Sequence, residues 1–167
     1  FSSAFVDLDD DGLLDMLVAG DFGASRLYWN QGTSLVLDAQ VGLELGFDTL
    51  SGMGMTVGDI DGDADLDWFI TGIYEADPTE CDGLCVEYGS GNRLVRNDGG
   101  RNLVDATDEF GVRDANWAWG TVFVDIDNDA DLDLIAVNGW QGRALDGSYD
   151  ARDTAARLWL NDGTGHM

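Results

Sequence analysis

Aspartates recur at every second position in three places along the chain: FVDLDDDGLLDMLVAG (5–20), VGDIDGDADLDWFITG (57–72) and VDIDNDADLDLIAVNG (124–139). On a flat β-strand such carboxylates would share one face with neighbours about 7 Å apart, and their repulsion would oppose folding. Wound into a loop, the same residues turn hard oxygens toward a common centre, where a cation removes the repulsion. The chemistry implied is cation binding.

Each segment reads D-h-D-x-D-[GA]-x-L-D. Calcium loops of the EF-hand type draw oxygens from positions 1, 3 and 5 and from the position-7 carbonyl, with glycine at position 6 for a sharp turn. On that logic, with position 9 closing the set, the expected ligands are Asp7, Asp9, Asp11 and Asp15; Asp59, Asp61, Asp63 and Asp67; and Asp125, Asp127, Asp129 and Asp133. Leu13, Asp65 and Asp131 lend backbone oxygens. Carboxylates in flexible loops select Ca²⁺ over Zn²⁺, and Mg²⁺ takes fewer protein ligands. Three Ca²⁺ are therefore expected, bringing the net charge from −25 to −19. Position 6 is Gly12, then Ala64 and Ala130. If that residue needs a positive φ, each alanine costs about 1 kcal/mol or more.

Other chemistry is thinly supported. One histidine, His166, and two cysteines, Cys81 and Cys85, leave no visible Ser-His-Asp or Cys-His set, so the chain is expected not to be an enzyme. A pair of carboxylates for glycoside chemistry remains the catalytic alternative. Cys81 and Cys85 bracket an Asp-Gly turn, a spacing that allows a small disulfide in an oxidising compartment, with free thiols the alternative. Tyr74, Tyr88, Trp140 and Tyr149 lie in two long segments, 73–92 and 139–156. They could stack on a sugar or protein ligand, or simply pin those loops down.

The elements that must hold these loops repeat as well. RLYWNQG (26–32), RLVRNDG (93–99) and RLWLNDG (157–163) follow the three aspartate segments. From Asn30 to Asp59 is 29 residues and from Asn97 to Asp125 is 28, whereas the intervals from Asp7, Asp59 and Asp125 to the next such asparagine are 23, 38 and 36. One loop per repeat thus varies in length and the rest is fixed. Each unit reads as a strand entering the aspartate loop, an apolar second strand, the variable loop, a third strand, and a fourth near Leu35–Leu37 or Leu103–Ala106. Glycine-rich returns, GMGM (52–55) and WAWG (117–120), lead into the next unit. No helical periodicity stands out. The expected fold is all-β: four-stranded antiparallel propeller blades over 1–50, 51–115 and 116–167, the last incomplete. About three blades of a larger or assembled propeller are present, since rings usually need four to eight. Trp29 and Trp159 read as blade packing, Trp117 and Trp119 as core.

Eight arginines, no lysine and 33 acidic residues repel nucleic acid and anionic membranes and suit a salty medium. There is no run of 18 apolar residues to insert into a membrane, and no signal peptide is visible. The chain reads as a mature fragment or an excerpt.

The aspartate loops followed by R-L-h-x-N-[DQ]-G resemble FG-GAP/VCBS repeats, found in integrin α-chain propellers and bacterial surface proteins. GMGMTVGDIDGDADLD (52–67), NRLVRNDGGRNLVDATDEFGV (92–112) and WGTVFVDIDNDADLDLIAVNG (119–139) are similar to the subgroup related to cartilage acidic protein and the ASPIC/UnbV-type proteins. In repeat 1, LVLDAQVGLE (35–44) is only loosely similar to the segment containing Asp105 and Thr107. The resemblance implies a β-propeller with Ca²⁺ in the loop between each blade's first two strands, extracellular or periplasmic, and fixes no single activity. The expected role is adhesion or the binding of a protein or glycan ligand at the cell surface. A structural subunit of a surface layer or filament, self-assembling with neighbouring chains, is the alternative; part of a carbohydrate-active enzyme is another.

Overall fold

A computed structural model describes residues 2–74, 89–139, 142–143, 149–150, 155–163 and 167. The fold is all-β, built on three antiparallel sheets, here called blades. Blade 1 comprises β1 (Ser2–Val6), β2 (Asp15–Ala19), β3 (Arg26–Asn30) and β4 (Leu35–Leu37) in spatial order 1-2-3-4. Blade 2 repeats this with β5 (Met55–Gly58), β6 (Asp67–Ile70), β7 (Arg93–Asn97) and β8 (Leu103–Asp105). Blade 3 has β9 (Ala118–Val124), β10 (Asp133–Asn138) and β13 (Arg157–Trp159), with β10 central. A two-stranded ribbon, β11 (Gly142–Arg143) with β12 (Tyr149–Asp150), lies in the second variable segment.

The second strand of blade 2 is buried on both faces because it is sandwiched between neighbouring sheets. All four residues of β6, DWFI, are buried. Alternation then divides the faces. Trp68 and Ile70 turn toward blade 1 and join Leu17, Leu27 and Trp29; Phe69, with Leu94 of β7, turns toward blade 3 and meets Leu134 and Phe123. The blades are therefore held by apolar burial between sheets, one cluster between blades 1 and 2 and another between blades 2 and 3. The glycine-rich return permits close approach of the first strands: a Cβ on Gly54 would sit 2.3 Å from the Trp119 carbonyl.

Two expectations are corrected. A six-residue helix, α1 (Ala39–Glu44), follows β4, where no helical periodicity stood out. Asp38 nucleates it: its carboxylate accepts from the Gln40 and Val41 N–H groups and from the Trp29 indole, 2.8 Å away. None of its residues is fully buried and only Val41 packs on the core, so it depends on that cap and leaves no apolar stripe to read. Trp119 is not core but 44% exposed, its ring lying over Gly139. It belongs to the outward-facing set of β9, whereas Ala118 before it is buried. Trp29 is buried as expected, and Trp159 packs half-buried against blade 2.

Candidate metal centres

The three aspartate loops each join a blade's first and second strands, at one end of the stack. Their backbone winds as the sequence demands. Position 6 has positive φ in every case: 85° at Gly12, 80° at Ala64 and 81° at Ala130. Position 4 does too, at Asp10, Gly62 and Asn128. Aspartate, glycine and asparagine are the residues that tolerate the left-handed region, so that signal was legible but is easily overlooked.

The carboxylates have distinct tasks. Position 1 anchors the turn: Asp7 accepts from the Asp11 and Gly12 N–H groups, Asp59 from Gly62, Asp63 and Ala64, and Asp125 from Asn128, Asp129 and Ala130. Position 5 caps the N–H two residues on, Asp11 to Leu13, Asp63 to Asp65 and Asp129 to Asp131. Position 9 is wholly buried in all three loops. One oxygen of Asp15, Asp67 and Asp133 accepts from the N–H of Leu8, Ile60 and Ile126, and the other from the N–H of Asn30, Asn97 and Asn161.

Positions 1, 3 and 9 converge. Asp7, Asp9 and Asp15 bring one oxygen each within 4.8 Å of one another; Asp59, Asp61 and Asp67 do the same, as do Asp125, Asp127 and Asp133. Three carboxylates at that separation fit a hard cation, and such groups could hold one. The position-5 carboxylates lie outside these triplets, and the position-7 residues Leu13, Asp65 and Asp131 present the N–H groups that position 5 caps. Electrostatics agree with the geometry. Burial pushes the Asp67 carboxyl up to about 7, against the Asn97 and Ile60 N–H groups that lower it, while the charges of Asp61 and Asp63 add to the rise. Burial also raises Asp15, Asp61 and Asp127, and neighbouring aspartates reinforce it. Without a counter-charge these four carboxyls are held toward protonation.

Loop 1 already has a partial counter-charge. Arg101, from the β7–β8 turn, donates to Asp9 at 2.6 Å while its guanidinium lies 4.4 Å over the Trp29 ring. Arg96 stands 3.9 Å from Asp61 in loop 2. Among the described residues no arginine pairs with the loop-3 triplet.

Sequence reasoning treated the repeated asparagine as a strand marker; it is a tie. Besides accepting the N–H of the glycine two residues on, Asn97 donates to Leu66 of its own loop and, at 2.7 Å, to the Leu8 carbonyl of blade 1's loop. Asn161 likewise donates to Leu132 and, at 2.7 Å, to Ile60 in blade 2's loop. Arg93 is a second tie, donating to the Leu45 and Gly46 carbonyls between α1 and the turn that follows it. The regular recurrence of R-L-h-x-N was the available signal.

The described ends of the variable segments, 73–74, 89–92 and 139, lie at the opposite end of the blades, since β6 and β10 run away from the aspartate loops. Tyr74 bonds through its N–H to the Asn116 carbonyl, and its ring packs beside Gly91. Tyr149 is in β12, paired with Arg143. Cys81, Cys85, Tyr88 and Trp140 lie outside the described residues. Among the described residues no helix is long and apolar enough to cross a membrane.

A family model described as FG-GAP-like repeat matches residues 7–70, spanning the first two aspartate loops and β2 to β6. No curated protein matches the chain.

Proposed function

We propose that this chain, which carries FG-GAP-like repeats, is a calcium-braced, non-catalytic binding module working outside the cell in adhesion or ligand capture. The observation that carries the reading is the threefold recurrence of converging carboxylates at positions 1, 3 and 9, each triplet in the same register of its blade. Asp7, Asp9 and Asp15, Asp59, Asp61 and Asp67, and Asp125, Asp127 and Asp133 would hold the ions, with the position-5 aspartates and the carbonyls of Leu13, Asp65 and Asp131 available to complete the shell. Bound Ca²⁺ supplies positive charge that offsets carboxylate repulsion and fixes the turn between two strands. The chain's own residues position the loops, through the buried position-9 aspartate and the asparagine ties. Recognition belongs to the variable segments 73–92 and 139–156, whose described ends lie away from the metal loops.

Chelation with EGTA is expected to lower the melting temperature by several degrees, and added Ca²⁺ to restore it. Elemental analysis should give about three calcium ions per chain, and Asp127→Ala should remove one while the other two stay. An unchanged melt with no calcium found sinks the metal reading. A glycan array and a protein pull-down then address the ligand.

A further inference from the structure

Loops 1 and 2 differ in what the next blade lays across them. Both are crossed by an asparagine tie, Asn97 onto the Leu8 carbonyl and Asn161 onto the Ile60 carbonyl. Four residues beyond Asn97 stands Arg101, whereas four beyond Asn161 the sequence has Gly165. Arg101 holds φ 68° in the β7–β8 turn, a left-handed conformation that costs any residue with a Cβ. From there its Nε and Nη2 reach Asp9 Oδ2 at 2.6 and 2.5 Å. The guanidinium rests 4.4 Å over the Trp29 ring, and Trp29 is itself fixed by its indole N–H bond to Asp38 at 2.8 Å.

In blade 2 the place of Trp29 is taken by Arg96, which engages its loop more weakly. Arg96 stands 3.9 Å from Asp61 but gives its Nε to Asp98 at 2.7 Å and its Nη1 to Glu109 at 3.0 Å. Asp9, by contrast, has both oxygens engaged: Oδ2 by Arg101, and Oδ1 by the Asp11 N–H at 3.3 Å. The Asp9 side chain is 6% exposed and that of Arg101 43%. The carboxylate is held in place, while the arginine has a way out to solvent. A calcium ion bonded to Asp9 at its usual 2.3–2.6 Å would lie within about 5 Å of the Arg101 nitrogens. Two cations that close repel, so both cannot keep Asp9 on equal terms.

We infer that Arg101 is a built-in competitor for the loop-1 cation: it holds Asp9 while the loop is empty, and calcium entering loop 1 displaces it. This rests on the calcium reading of the three loops and adds an order to them, loop 1 binding more weakly than loop 2. It also gives the ion pair a task when calcium is scarce. Arg101 then latches blade 2 to blade 1 through Asp9 and Trp29, and a filled loop 1 exchanges that latch for the metal. Binding at loop 1 and the Arg101 contact are thus coupled, each weakening the other by the same factor.

Isothermal calorimetry of calcium binding to the whole chain is expected to show one step weaker than another. Arg101→Gln should tighten the weakest step about tenfold, as loss of a competing charge-assisted bond implies, and leave the others in place. Arg157→Gln is the control: it removes the same charge from a half-exposed pair with Asp114, 3.8 Å, that touches no aspartate loop, and should move no step. Melts give a second readout. In chelator Arg101→Gln should melt several degrees below wild type, and at saturating calcium the two should melt together. An arginine that merely joins the blades would lower both melts equally, and that result overturns the proposal. So does a weakest step that Arg101→Gln leaves unchanged, or one that Arg157→Gln tightens as much. Calcium steps of equal strength in the wild type overturn it while the metal reading stands. Calcium binding to neither the wild type nor Arg101→Gln removes both.

Discussion

Ala64 and Ala130 hold φ near 80° in loops where Gly12 occupies the same position without a Cβ. Left-handed backbone costs an alanine about 1 kcal/mol more than a glycine. Ala64→Gly and Ala130→Gly are therefore expected to stabilise the protein by up to about 1 kcal/mol each, and Gly12→Ala to destabilise it similarly. Urea denaturation with calcium saturating and again with chelator checks this; alanine variants as stable as glycine ones would show that the turn relaxes. The strain was legible in the alignment of three loops. The division of labour among the aspartates was not. Asp11 and Asp9 are the same residue type at alternate positions, yet one caps the Leu13 N–H and the other meets a cation from the next blade.

At the level of elements, strand order followed directly from apolar runs separated by turn residues. The short helix did not, since a one-and-a-half-turn segment is fixed by the Asp38 cap and not by a stripe. The asparagine ties make the third strands of blades 2 and 3 clamps on two loops at once. Asn97→Ala leaves buried acceptors at Leu8 and Leu66 and should cost about 1–3 kcal/mol. Asn30→Ala, whose amide bond to Leu14 is exposed, should cost less than about 1 kcal/mol. Thermal melts of the two variants in parallel decide the point, and equal losses would remove the cross-blade tie from the account.

For the molecule as a whole, acidity is a uniform stress on a compact body. Three calcium ions would offset only six of the 25 net negative charges. Raising salt from about 0.1 M to 1 M shortens the Debye length from about 10 to 3 Å, and should raise the melting temperature even in chelator. A flat response would mean that arginine pairs such as Arg113–Asp108, 2.6 Å, and Arg96–Asp98, 2.7 Å, already absorb the local repulsion.

By itself the sequence determined what is local and periodic: three repeats, their loops, the residues able to face a cation, and an all-β architecture. These follow from spacings of two, four and eight residues, which the chain displays along its length. The tertiary structure alone decided which blade meets which. The bond from Asn97 to Leu8 spans 89 residues, and that from Arg101 to Asp9 spans 92. Contacts between residues so distant impose no period on the chain between them, so only stacking of the sheets brings them together. The same stacking separates the buried leucines of R-L in blades 1 and 2 from the exposed Leu158 of blade 3. Identical motif positions differ there only in whether another sheet lies across them.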